Sequence, residues 1–143
     1  MVSGGSPVTG VDTEAMRRYL ATTDVVFAVV FGSRVRGDGD ERSDVDVALG
    51  FPDDMGDHER FRLRNRIDAN LQTYADGFVD VSDLDALPTP VAYAALRDGT
   101  AIVGDRAEIE SALERFEAEY EASAEQRERE RREFIDRLAR GDV

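Results

Sequence analysis

The sequence has no cysteine and no lysine, one histidine and four prolines among 143 residues. It also lacks a long apolar run. Without cysteine there is neither a disulfide framework nor a thiolate metal site, and a cytoplasmic setting is expected. No stretch reaches the ~18 uninterrupted apolar residues of a membrane helix, so no membrane role is expected. The opening "MVSGGSPVTG" has no basic start and no apolar core. It reads as a flexible leader over 1–10 rather than a secretory signal.

What is present in excess is acid. There are 31 acidic residues against 18 basic ones, all of them arginine, for a formal net charge of −13. At ~1 M salt the Debye length shrinks to ~3 Å, so such a chain tolerates its own repulsion. Hydrated carboxylates then maintain solubility, and a halophilic archaeon is the expected host. A GC-rich genome would equally favour arginine over lysine. The acidity argues against nucleic acid as a direct ligand, because a groove for phosphates needs basic side chains. With 41% apolar residues, the chain has enough material for one domain with a core.

The hydrophobic pattern alternates between the two periods. "VDTEAMRRYLA" (11–21) reads as a helix capped by Asp12 or Thr13, with Met16, Tyr19 and Leu20 on its apolar face. "VVFAVVF" (25–31) is an uninterrupted apolar run of strand length, as expected of a strand buried on both faces. "VDVAL" (45–49) is a second strand, and residues 57–75 form a helix with Leu63, Ile67, Leu71 and Tyr74 at helical spacing. "GFVDVSDL" (77–84) is a third strand. "TPVAYAALRDG" (89–99) is a short helix begun by Pro90 and stopped by Gly99. "TAIVG" (100–104) is a fourth strand, and one long helix follows from Arg106. The expectation is an α/β (α+β) fold: a mixed sheet of about four strands, flanked by helices, over 11–104. A long C-terminal helix over 105–143 packs on it and can reach a partner.

Two aspartates lie inside the second strand. Residues i and i+2 of a strand share a face, so Asp44 and Asp46 project together, roughly 6–7 Å apart, while Val45 and Val47 point into the core. Convergent carboxylates raise one another's pKa unless a cation lies between them. Mg²⁺ is the natural cation, since it takes oxygen ligands and is commonly held by one or two carboxylates plus substrate phosphates. Asp80, in the alternating "FVDV" of the third strand, can supply a third carboxylate; Asp83, an odd number of residues on, faces the other way. Three carboxylates on adjacent strands suit a pair of Mg²⁺ ions. Just upstream, Gly32 lets the backbone approach a phosphate closely and the Ser33 hydroxyl can donate to it. Arg36 can reach the same phosphates or pair with Asp38 or Asp40, and Ser43 can order the approach to Asp44.

The stretch "GSRVRGDGDERSDVDV" resembles the signature of the minimal nucleotidyltransferase (MNT) domain of the DNA polymerase beta-like superfamily. That signature is Gly-Ser, ten intervening residues, then Asp-x-Asp, and residues 34–43 separate Ser33 from Asp44. Arg36-Gly37 and Ser43-Asp44 match its embedded pairs, and Val35 replaces its usual alanine. The resemblance spans residues 15 to about 104. It implies the nucleotidyltransferase fold and transfer of a nucleoside monophosphate from an NTP, with pyrophosphate leaving. Small members are similar to the antitoxin of HEPN–MNT toxin–antitoxin pairs, which carries AMP from ATP to a tyrosine of the HEPN ribonuclease toxin. By that resemblance Asp44 and Asp46 hold both Mg²⁺ ions, Asp80 completes the one that activates the acceptor, and Gly32 and Ser33 cradle the β/γ phosphates. Two alternatives stay open: an antitoxin that neutralises by binding alone, or transfer to a small molecule or an RNA end.

The remaining features have plainer readings. His58 reads as a surface residue at a helix start, and Arg60, Arg62, Arg64 and Arg66 as a solvated face. In the last helix Ile109, Leu113, Phe116 and Tyr120 should pack on the domain. Residues 121–133 have no large apolar side chain, and Glu125–Arg129, Glu128–Arg132 and Glu133–Arg137 are spaced as i,i+4 pairs. Phe134, Ile135 and Leu138 then return, which suits either a partner or self-association, or a helix that folds back.

Overall fold

The apolar runs form strands of one sheet, and the amphipathic segments cover its two faces. The computed structural model describes residues 3–4, 10–32 and 44–141. In chain order the elements are β1 (Ser3–Gly4), α1 (Thr13–Leu20), β2 (Phe27–Phe31), β3 (Val45–Gly50), α2 (Asp57–Leu71), β4 (Val79–Asp83), α3 (Thr89–Asp98), β5 (Thr100–Gly104) and α4 (Arg106–Arg140). Short 3₁₀ turns follow α2 and β4. The sheet order is β1-β5-β2-β3-β4. β2 is antiparallel to both β3 and β5, while β3–β4 and β1–β5 are parallel. The expected four strands are all present. A fifth, two-residue strand from the expected leader extends the sheet beside β5.

β3 has core on both faces beyond its second residue, hence its near-continuous apolar sequence. Val45, Val47 and Leu49 face a cluster with Met16 and Leu20 of α1 and Ile67 and Leu71 of α2. Ala48, with Phe27 and Val29 of β2, faces Ala92 and Leu96 of α3 and Ile109, Ala112 and Phe116 of α4. Asp12 caps α1, its carboxylate accepting from the Ala15 N–H at 3.0 Å. Asp105 caps α4 in the same way through the Ala107 N–H at 2.9 Å. Losing such a cap costs about 1 kcal/mol.

The parallel β3–β4 pair needs a crossover, and α2 supplies it. The outer edge of β4 would otherwise be open, but side chains of α2 and the turn behind it close it. The Gln72 amide accepts from the Val79 N–H at 3.0 Å and donates to the Val79 carbonyl at 2.7 Å. Arg64 donates to the Val81 carbonyl at 2.9 Å. Arg60, with only 15% of its side chain exposed, donates to the Pro52 and Met55 carbonyls and pairs with Asp83 and Asp85 at 3.3 and 3.2 Å. The expectation of a solvated arginine face is therefore corrected for Arg60 and Arg64; Arg62 and Arg66 do face solvent.

α4 divides in two. Through Phe116 it packs on the sheet, and Tyr120 rests on Tyr93 of α3 with ring centroids 5.1 Å apart. No described residue after Phe116 is buried. The last 20 residues extend the helix by roughly 30 Å, and Phe134, Ile135 and Leu138 stay about half exposed. The helix does not fold back. Glu128 takes Arg131 at 2.7 Å and Arg132 at 3.8 Å. Glu125–Arg129 and Glu133–Arg137 do not pair: the spacing offers an opportunity, and exposed side chains gain too little from it to be held. No helix among the described residues is long and apolar enough to cross a membrane.

Candidate active site

Register brings the carboxylates together. Asp46 of β3 lies opposite Phe31 of β2 on one side and opposite Asp80 of β4 on the other. Partners in a parallel pair project to the same face at the strand spacing of about 4.8 Å, so Asp46 and Asp80 stand side by side. Asp44 precedes β3 by one residue and shares that face. The ladder continues one step beyond β4, with the Val45 N–H donating to the Phe78 carbonyl at 2.9 Å. Asp83 pairs in register with Leu49 and turns to the opposite face, toward Arg60, as the odd spacing predicts.

Electrostatics mark Asp46 in particular. Partial burial pushes its carboxyl above the ordinary carboxylate range, and the negative charges of Asp80 and then Asp44 push it further. Among the described residues, neither an arginine nor a hydrogen-bond donor offsets that crowding. In a chain with 18 arginines, three neighbouring acids without a described cation are a costly arrangement for stability alone.

Gly32 is fitted to Asp46. It follows β2 with φ +101°, a left-handed conformation open to glycine. A Cβ built there would lie 2.6 Å from Oδ2 of Asp46. The absent side chain is thus the space in which the carboxylate sits, and the main chain at the end of β2 passes directly beside it.

Ser33, Arg36 and Ser43 lie outside the described residues. His58 is exposed at the second position of α2. Among the described residues no group of three His, Cys, Asp or Glu side chains closes into a metal site by itself. A hard cation that keeps waters and phosphate oxygens needs only one or two carboxylates, so the Asp46–Asp80 pair with Asp44 nearby is a fitting donor set for Mg²⁺.

Sequence reasoning missed the devices that hold Asp80. Val79 and Val81, its two neighbours, have their outward backbone groups bound by Gln72 and Arg64. A signal existed: Arg60, Arg64, Ile67 and Leu71 share one helical face, whereas Arg62 and Arg66 fall off it.

A family model described as "Polymerase beta, Nucleotidyltransferase" matches residues 14–108. Among curated proteins nothing matches this chain. Several solved structures share its fold. One is a toxin–antitoxin crystal structure with AMP-PNP, 21% identical, with a TM-score of 0.63 over 90% of this chain and 98% of that one. A MntA–HepT toxin–antitoxin structure is 19% identical, with a TM-score of 0.57 over 89% and 96%. A third, a tri-AMPylated Shewanella oneidensis HEPN toxin in complex with MNT antitoxin, is 18% identical, with a TM-score of 0.55 over 89% and 98%.

Proposed function

The chain belongs to the polymerase beta nucleotidyltransferase family, and we propose that it is the antitoxin of a toxin–antitoxin pair, transferring AMP from ATP to a tyrosine of a HEPN ribonuclease toxin. The observation that carries this reading is the register pairing of Asp46 with Asp80, without a described cation, against the bare backbone of Gly32. Nothing in the packing of the sheet calls for that arrangement; a triphosphate with its cations does. The likeness to a structure holding AMP-PNP and to one holding a tri-AMPylated HEPN toxin supports ATP as donor and a protein as acceptor. The acid-rich, lysine-free composition suits a salt-rich cytoplasm as its setting.

In the reaction the tyrosine oxygen bonds to the α-phosphorus, the α–β anhydride bond breaks, pyrophosphate leaves and the phenolic proton passes to solvent. Mg²⁺, when bound to Asp44, Asp46 and Asp80, supplies charge neutralisation for the phosphates. Gly32 admits the β/γ phosphates close to the main chain, with Ser33, Arg36 and Ser43 assigned to the same phosphates by sequence. The backbone clamps at Val79 and Val81 keep Asp80 in line, which matters because small misplacements are costly in transfer reactions.

The test is an intact-mass measurement. Incubated with ATP and Mg²⁺, the protein encoded by the adjacent gene should gain the mass of one or more AMP groups. Asp44→Asn and Asp46→Asn should abolish the gain while still forming the complex. If wild type adds no mass and both variants still neutralise the partner, the protein works by covering its toxin.

The projecting end of α4 is assigned to the same partner. Residues 121–140 carry six acidic and six arginine side chains, a net charge of zero, whereas the remaining residues carry 25 and 12. This neutral, partly apolar stretch is where another protein can approach without meeting the acidic body. Phe134→Asp combined with Leu138→Asp should weaken the complex at least about tenfold in a titration, with the fold unchanged by circular dichroism. Loss of a homodimer instead would assign this end to self-association.

A further inference from the structure

Extending the β3–β4 register by one step puts Asp44 beside Phe78, as it puts Asp46 beside Asp80. Strand alternation keeps Phe78 on the face of Asp80. The four side chains make a two-by-two patch: three carboxylates and one ring. Phe78 is 58% exposed. Val79 and Val81, which alternate with Phe78 and Asp80 along the strand, are buried on the opposite face. An apolar ring in a wet, anionic patch gains nothing from the core. Resting on the proposed AMP transfer to tyrosine, we propose that Phe78 is the docking and specificity residue for the acceptor, stacking on the tyrosine ring that receives AMP.

The direction of the reaction places the acceptor on this side. Phosphoryl-type displacements run in line, so the attacking oxygen arrives opposite to the leaving pyrophosphate. The phosphate approach is at Gly32, at the end of β2. Phe78 opens β4, two strand spacings or about 10 Å away, with Asp44 and Asp46 between them. An attacking group opposite to phosphates at β2 therefore enters over β4, beside Phe78. Two aromatic rings prefer centroid separations of about 4.5–7 Å in offset or edge-to-face contact. A phenol held that way presents its hydroxyl to the carboxylates. An aliphatic hydroxyl has no ring to be held, so the same contact favours tyrosine over serine or threonine.

Steady-state transfer to the adjacent-gene protein tests this with the wild type, Phe78→Ala and Phe78→Tyr. Phe78→Ala should raise the acceptor KM roughly three- to tenfold and leave the ATP KM and the melting temperature in place. Phe78→Tyr, which keeps the ring, should restore the acceptor KM. An unchanged acceptor KM in Phe78→Ala overturns the assignment. So does a rise in the ATP KM alone, which would give the ring to the nucleobase. Failure of Phe78→Tyr to rescue overturns it too. A wild type that transfers no AMP overturns the underlying reading first, so the two failures are distinguishable.

Discussion

β4 supplies two aspartates that meet opposite fates. Asp83 is largely shielded and is paired: Arg60 reaches it at 3.3 Å, and Asp85 beyond it is shared between Arg60 and Arg115. Asp80, three residues earlier and on the other face, has no described cation and stands beside a second carboxylate. The protein has arginine to spare, so the difference is one of use. Among the described residues, acid that serves structure is met by an arginine, whereas the crowded acids are the ones the proposed function gives to a ligand. This contrast separates a site from a surface in a chain so rich in carboxylates that acidity alone says little.

The contrast can be broken from either side. Removing charge at the end that has no cation among the described residues should have the largest effect: Asp80→Asn should lower AMP transfer at least about a hundredfold, a loss comparable to that of a key charge-stabilising group. Its melting temperature should stay near that of the wild type. Arg60→Ala attacks the paired end, leaving two backbone carbonyls and the shielded Asp83 without their donor. It should cost about 2–4 kcal/mol by urea unfolding, with transfer per folded molecule retained. If Arg60→Ala costs nothing, the paired end is not structural.

The smallest effect is the most diagnostic. The folded state holds the Asp46 proton to higher pH than the unfolded chain does. The native state therefore binds more protons just above the ordinary carboxylate range, and stability falls as pH rises through that window. At neutral pH ionised Asp46 burdens the fold, and Asp46→Asn relieves it. In Mg²⁺-free buffer at pH 7 the variant should melt slightly above the wild type. The gain should fade as pH drops through the ordinary carboxylate range and vanish well below it, where the wild-type carboxyl is protonated folded or unfolded. A variant that melts lower at pH 7 would mean that Asp46 has a cationic partner after all.

Local periodicity explains which parts of this arrangement were readable in the sequence. Period two alone places Asp44 with Asp46 and separates Asp80 from Asp83, and each of the four expected strands falls within two residues of its expected bounds. That Asp46 should stand opposite Asp80, across a 34-residue offset, depends on how α2 lays β4 along β3. Nothing local encodes that register. β1 was unreadable for a related reason: two residues become a strand only because β5 offers them an edge. Arg60, Arg64 and Gln72 look like surface residues until a strand edge is brought beneath them. Ser33, Arg36 and Ser43 are legible as a motif, and their positions fall outside the described residues.

Gln72 has one more effect. By occupying both backbone groups of Val79 with a side-chain amide, it makes that point of the sheet's rim unavailable for β-augmentation, in which an extended peptide adds a strand to an exposed edge. On the proposed transfer to tyrosine, the acceptor polypeptide would then descend onto the carboxylates from above rather than pair with the strand at Val79. It would be chosen by its relief and its side chains, with no main-chain ladder at Val79 to anchor a mismatched guest.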